Sequence, residues 1–278
     1  PDLVRQVISK AEREGLLPTL EAAFNKLDQP MPLGYSSAGT IVEVGTGMGE
    51  FKPGDRVACA GGGYAVHAEY DLVPLNLLAK LPDSVDFESA AFTTLGAIAM
   101  HGFRLSKPLI GETVCIIGLG LLGLLAAQIA RSAGCAVFGV DLSPDRVKLA
   151  QDLGFSASLN ENCLDLVSGI TDGRGFDHVL ICADTSSDDT VLLAGQVARD
   201  RGSVVAVGAV GLDIPRKIYY EKELNFIVSR SYGPGRYDPQ YEENGMDYPP
   251  GYVRWTEGRN LQSFVDLLAS GKVDVKPL

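Results

Sequence analysis

The sequence predicts an α/β fold in which a doubly wound parallel sheet follows a small barrel of short strands. Three observations carry this reading. Strand-like apolar runs alternate with helical periodicity from about residue 114 onward. A Gly-x-Gly-x-x-Gly turn joins the first of those strands to the first helix. Before them, from Gly39, short strand-like runs are bounded by glycine and proline.

In chain order, residues 2–27 read as a helical hairpin, with Leu3, Val4, Val7 and Ile8 on one face and a second helical run after Pro18. Barrel strands are expected over 40–45, 53–58 and 68–74, and a helix over 85–105. The alternating part predicts strands over 114–117, 136–140, 156–159, 178–182, 203–207 and 225–229. Helices are expected between them over 121–132, 144–153, 163–170 and 190–198. Residues 232–255, rich in Tyr, Pro, Gly and acidic side chains, have no period and read as a long loop; a last helix over 261–269 closes before Gly271.

Bulk properties narrow the function. The 278 residues, 46% hydrophobic, can bury a full core and favour two domains over one. A formal charge of -11 argues against nucleic acid and anionic membrane surfaces, which leaves a small-molecule ligand. The five cysteines form no C-x-x-C pair and fit reduced, buried thiols in a cytoplasmic protein. The most apolar stretch, 114–130, is short for a membrane span and three glycines interrupt it. No signal peptide is evident; the chain begins at Pro1, and an N-terminal portion is expected to be missing.

The glycine motif is Gly118-Leu119-Gly120-Leu121-Leu122-Gly123, directly after Val114-Cys115-Ile116-Ile117. That strand–turn–helix context is the one a dinucleotide-binding Rossmann unit requires. Gly118 permits the tight turn, Gly120 lets backbone approach a pyrophosphate, and Gly123 lets helix and strand pack closely. The N-terminal N–H groups at Leu121 and Leu122 face the phosphates. Eighteen residues after Gly123, Asp141 ends the second strand, where a carboxylate accepts from ribose hydroxyls and repels a 2'-phosphate, so NAD is expected over NADP. Arg146 either covers the adenine ribose or is a solvated helix-surface charge.

The order of motifs resembles the medium-chain dehydrogenase/reductase superfamily typified by zinc-type alcohol dehydrogenases. The likeness rests on 34–45 (GYSSAGTIVEVG), 51–57 (FKPGDRV), 64–74, Ala79-Lys80-Leu81-Pro82, the helix start at 90–95, the Rossmann unit and Lys222-Glu223-Leu224. It implies a GroES-like catalytic barrel beside the Rossmann domain, hydride transfer at a nicotinamide in the cleft between them, and dimers or tetramers through the Rossmann edge strand. It also implies that Thr94, Ala183, Val207 and Gly208 line the cofactor. Three segments are expected: a partial catalytic domain over 1–107, a Rossmann domain over 108–232, and a loop and helix over 233–278 that return toward the catalytic domain. Zinc-type members carry Gly-His-Glu where this chain has Gly34-Tyr35-Ser36, and the four-cysteine zinc lobe after the GDRV segment is missing, so no metal is expected. Tyr35, Ser36 and Ser37 occupy the positions nearest the lost metal and are candidate proton donors, with hydrogen bonding inside the barrel as the equal alternative. His67 is the remaining catalytic candidate against a structural role; His101 and His178 are assigned to structure.

The nearest likeness is to the dehydrogenase module of bi-domain oxidoreductases, which carries a similar Tyr-Gly-Pro-Gly-Arg-Tyr-Asp segment, so the chain is expected to be the core of a larger protein. The insert over 231–255 offers Tyr232, Arg236 and Tyr237 for a sugar or other polar, anionic substrate; the competing reading is a loop that covers the barrel or an oligomer edge. The expected activity is zinc-independent, NAD(H)-dependent oxidoreduction of an alcohol or carbonyl. Two alternatives stand beside it: an NADPH-dependent quinone or enoyl reductase, and a cofactor-binding module without catalysis.

Overall fold

The computed structural model describes residues 32–278; the hairpin expected over 2–27 lies outside the described residues. The first sheet is a three-stranded antiparallel meander: β1 (Ser36–Thr40), β2 (Arg56–Ala60) and β3 (Leu78–Lys80), in the order β1-β2-β3. Register runs from Ser36 opposite Ala60 to Thr40 opposite Arg56. The strands therefore differ from those expected. Residues 41–45 leave the sheet because Ile41 instead exchanges backbone bonds with the turn at Gly54 and Asp55. Residues 68–74 are not a strand: Tyr70 and Leu72 both face solvent, so their alternation has no buried side to pack. Leu78–Lys80 takes the third place.

The helix expected over 85–105 is broken into α1 (Phe87–Ala90), capped by the Asp86 carboxylate on the Ser89 N–H, and α2 (Thr93–Leu105). The second sheet is parallel and six-stranded: β4 (Thr113–Ile117), β5 (Ala136–Asp141), β6 (Ser156–Leu159), β7 (Phe176–Ile181), β8 (Ala198–Ala206) and β9 (Asn225–Val228). Its spatial order is β6-β5-β4-β7-β8-β9, so the chain reverses direction at β4, the doubly wound arrangement expected. Helices α3 (Leu121–Ser132), α4 (Pro144–Asp152), α5 (Asn160–Ile170), α6 (Asp189–Val197) and α7 (Arg216–Glu221) fill the crossovers. The last of these was not expected from sequence.

Alternate strand residues feed two cores. Val114, Ile116, Leu180 and Val205 face α2, α3 and the final helix; Cys115, Ile117, Val179 and Val204 face α5 and α6. Burial on both sides explains why these strands read as unbroken apolar runs rather than alternation. Lys222 caps the second layer, its Nζ donating to the carbonyls of Gly195, Gln196 and Ala198 at the C-terminus of α6. His178 is buried against Glu112 at 2.7 Å, which places it in a structural pair.

The final helix, α9 (Glu257–Ala269), begins four residues earlier than expected and is capped by Thr256, following a one-turn helix α8 (Pro239–Glu242) inside the long loop. It packs on α2 and β3, with Leu261 and Val265 in the barrel core and Phe264 in the core on one side of the parallel sheet, so it joins the two. Gly96 of α2 makes that packing possible: a Cβ there would sit 2.2 Å from the Phe264 ring. Gly96→Ala should therefore cost about 1–3 kcal/mol of stability by forcing Phe264 out of its site. Gly39→Ala, whose Cβ would meet nothing, should cost less than about 1 kcal/mol; urea unfolding of the two variants measures the difference.

Candidate functional site

At the C-terminal edge of the parallel sheet, Gly118 leaves β4 with φ +95°, and a Cβ on it would lie 2.7 Å from the Ala183 backbone nitrogen. Gly123, in the first turn of α3, has its Cβ position 1.8 Å from the Gly118 carbonyl oxygen. Both glycines are demanded by backbone packed against backbone. Gly120 differs. Its backbone is extended (φ -69°, ψ -172°), and the nearest atom to its Cβ position is the Arg146 Cζ at 4.0 Å. Nothing inside the fold requires glycine there, and the position stands open.

That space lies at the N-terminus of α3, where Gly120 supplies no side-chain cap and the first N–H groups have no intrahelical partner. Unmatched donors and the helix dipole make it a site for an anion such as a pyrophosphate. Asp141, 7% exposed at the end of β5, accepts the Leu119 N–H at Oδ2 (2.6 Å) and the Ser143 N–H at Oδ1 (2.8 Å). Each carboxylate oxygen keeps lone pairs for ribose hydroxyls. Arg146, its side chain more than half exposed, lies 3.7 Å from Asp141 Oδ2, with its Cζ 4.0 Å from the Cβ position of Gly120. On the neighbouring strand ends, a Cβ on Gly208 would lie 2.0 Å from the Ala183 carbonyl oxygen, and Val207 packs on Gly102 of α2. The structure thus brings Gly118, Gly120, Leu121, Leu122, Gly123, Asp141, Arg146, Ala183, Val207 and Gly208 to one edge.

The residues near the barrel fall into two groups. Ser36 Oγ donates to the Ala91 carbonyl (2.6 Å) and accepts the Thr94 N–H (3.3 Å), bracing the start of α2. Ser37 Oγ donates to Asp71 Oδ2 at 2.9 Å. The Thr94 hydroxyl is 3.3 Å from the Tyr35 carbonyl and 3.4 Å from that of Cys59. Those three hydroxyls are spent inside the barrel. Tyr35, 46% exposed, and His67, whose ring lies against Gly34, keep their functional groups toward solvent. Burial, with a smaller contribution from the Asp71 charge, pushes the Cys59 thiol up to about 11, against the Ser37 hydrogen bond. The thiol is therefore protonated near neutrality and is not an activated nucleophile. Among the described residues no three His, Cys, Asp or Glu side chains converge.

The insert is built differently from what its composition suggested. Tyr232 is buried in the core beneath the barrel, and Arg236 makes a buried ion pair with Glu242 at 2.5 Å; only Tyr237, 57% exposed, presents its ring. Behind them stands Glu257, fully buried with both carboxylate oxygens unpartnered, beside the unpartnered Tyr232 hydroxyl and Arg236 Nε. Burial, aided by the Glu242 charge and opposed by Arg236, pushes the Glu257 carboxyl from its ordinary 4.5 to about 9. Sequence reading passed over Glu257, because nothing in its local pattern separates a helix-starting glutamate from a solvated one. It also passed over Thr93, fully buried with an unpartnered hydroxyl at the start of α2.

Several known proteins share this arrangement. The zinc-binding dehydrogenase family matches residues 122–243, and the alcohol dehydrogenase GroES-like domain family matches residues 12–83. An alcohol dehydrogenase of Geobacillus stearothermophilus is 32% identical over 77% of this chain and 73% of its own. A sorbitol dehydrogenase of Halalkalibacterium halodurans is 31% identical over 76% and 71%. The crystal structure of galactitol-1-phosphate dehydrogenase from Escherichia coli superposes with TM-score 0.72 at 24% identity, over 90% of this chain and 76% of that one.

The buried carboxyl gives a pH test. Above about pH 4.5 the unfolded chain releases the Glu257 proton while the native state keeps it, so folding takes up a proton and stability falls as pH rises toward about 9. The urea midpoint should drop between pH 5.5 and 8.5, and Glu257→Gln should flatten that drop; an equal slope in the variant would contradict the assignment.

Proposed function

The chain belongs to the medium-chain dehydrogenase/reductase superfamily and is an oxidoreductase of that type, and on this premise we propose that it transfers hydride between NAD(H) and an alcohol or polyol without zinc. The carrying observation is Gly120. Its empty side-chain position opens at the α3 N-terminus beside the Asp141 carboxylate, which fits a dinucleotide with free ribose hydroxyls. The nicotinamide cofactor, when bound, accepts or returns the hydride. The protein's part is to hold the pyrophosphate on the glycine turn, read the ribose at Asp141, and manage the proton of the reacting oxygen.

With tyrosine and serine standing in the Gly34-Tyr35-Ser36 segment, polarisation of that oxygen falls to a hydrogen-bond donor. Tyr35 is our candidate, its exposed phenol being the group free to exchange a proton, and His67 beside Gly34 is the second. The relatives named for alcohol and sorbitol favour alcohols and polyols as substrates. We further propose the segmentation 1–107, 108–232 and 233–278, a cytoplasmic location, and a dimer or tetramer through β9, whose outer edge carries unpaired backbone groups. A second reading, NADPH-dependent reduction, is supported by one observation: the half-exposed Arg146 stands 3.7 Å from Asp141, a cation that a 2'-phosphate would pair with.

NADH should bind more tightly than NADPH, and Asp141→Ser should narrow the ratio; equal affinities in the parent protein, measured by nicotinamide fluorescence, would overturn the NAD assignment. Turnover of sorbitol should survive exhaustive chelation and fall by about 100-fold in Tyr35→Phe. Stoichiometric zinc by elemental analysis, lost together with activity on chelation, would count against the zinc-free reading.

A further inference from the structure

Four arginines, Arg104, Arg230, Arg236 and Arg254, gather where α2 meets the loop between β9 and α9, in a chain of net charge -11. Arg230 and Arg236 share one ring, their guanidinium carbons 4.6 and 3.9 Å from the Tyr237 centroid. Arg104 and Arg254 share another, at 3.3 and 3.8 Å from the Trp255 centroid. The two stacks are joined. Arg104 Nη1 donates to Asn260 Oδ1, Asn260 Nδ2 donates to the Tyr232 carbonyl at 2.8 Å, and the Tyr232 ring lies 5.3 Å from Arg236.

Two cations on one ring repel each other, and an exposed cation–π contact returns only about 0.5–1 kcal/mol. Such stacks call for counter-anions. Arg236 has Glu242, whereas Arg104 donates only to the neutral Asn260 and Ser263. Arg230 and Arg254 form no ion pair among the described residues, although the chain carries 35 Asp and Glu. Two loop carboxylates are engaged elsewhere, Asp247 with Arg259, and Asp238 with the Tyr248 hydroxyl and the Gln240 N–H, and the exposed Glu243 pairs with neither arginine. Stacking occupies the face of a guanidinium and leaves its edge N–H groups free for planar, two-pronged contact with an anion.

The location suits a substrate. Arg230 lies two residues past the end of β9, and Gly102 of α2, two residues before Arg104, packs on Val207 just past the end of β8, so both stacks spring from segments next to the C-terminal ends of the strands, the side on which Gly118 leaves β4. Ser231 and Tyr237 hold left-handed backbone (φ 53° and 65°), a conformation that costs of order 1 kcal/mol for a non-glycine residue. The Tyr237 ring is 57% exposed beside its two arginines.

We propose that this double arginine–aromatic stack is the anion-binding part of the substrate site, and that the alcohol or carbonyl compound turned over carries a phosphoryl or carboxylate group. The proposal rests on the oxidoreductase reading above, and its test separates the two. Sorbitol, sorbitol 6-phosphate and gluconate would be titrated calorimetrically into the full chain saturated with NADH. At least one anionic probe should bind about tenfold or more tightly than sorbitol. That advantage should shrink with added salt and vanish in Arg230→Gln/Arg254→Gln, whose fold is checked by circular dichroism. Arg230→Lys/Arg254→Lys, which keeps charge but loses the fork, should retain part of it, and Lys217→Gln, on the opposite face of the sheet, all of it. Equal affinity for the three probes, or an advantage that survives the double glutamine variant, overturns the proposal while NADH binding stands. Failure of the parent chain to bind NADH overturns the oxidoreductase reading itself, and this proposal with it.

Discussion

The close approach of Gly123 to the Gly118 carbonyl is the contact on which the rest of the parallel layer is hung. It lets α3 seat directly on β4, and β4 is where strand order reverses, with β5 on one side and β7 on the other. Since α3 is buried nearly all round, any methyl at that contact would lift the whole helix from both strands. The same contact aims the α3 N-terminus at the open position beside Gly120. Packing and the opening at the helix N-terminus are thus two results of one backbone approach.

The legible parts of the fold were those where period, length and punctuation agreed. The helix over 121–132 and the strand over 156–159 appear with the expected limits: Gly120 and Gly134 punctuate the first, and Gly154 precedes the second, which runs directly into α5. The barrel was harder. Its strands are three to five residues long, and register is set by the partner strand rather than by local alternation, so Leu78–Lys80 looks no more strand-like than 68–74. At the candidate site, the glycines and Asp141 declare themselves through spacing. Ser36 and Ser37 do not: whether a hydroxyl faces a ligand or a barrel carbonyl depends on what folds against it, and here Ala91 and Asp71 do.

The loop after β9 shows how much composition can conceal. Its tyrosines and arginines suggested one polar surface, yet they divide into a buried layer, with Tyr232, Arg236, Glu242 and Glu257, and an exposed layer, with Tyr237, Arg230 and Arg254. The buried layer contains a neutral carboxyl beside an ion pair, an arrangement whose removal of one partner would leave a lone charge in the core. It gives the loop a rigid floor. A platform of aromatic rings can then hold cations at fixed positions above it, which a mobile loop could not do.

Asp141 serves two masters if it reads the ribose as proposed, since the same carboxylate accepts the Leu119 and Ser143 N–H groups that shape the turn. Exchanging it for a smaller, neutral residue to admit a phosphate would also strip two backbone donors of their acceptor. Cofactor preference in this chain is therefore pleiotropic. A lineage, or an engineer, that seeks to switch it must supply new acceptors for the turn in the same step or pass through a weakened intermediate, and that ties the evolvability of the cofactor site to two hydrogen bonds that never touch the cofactor.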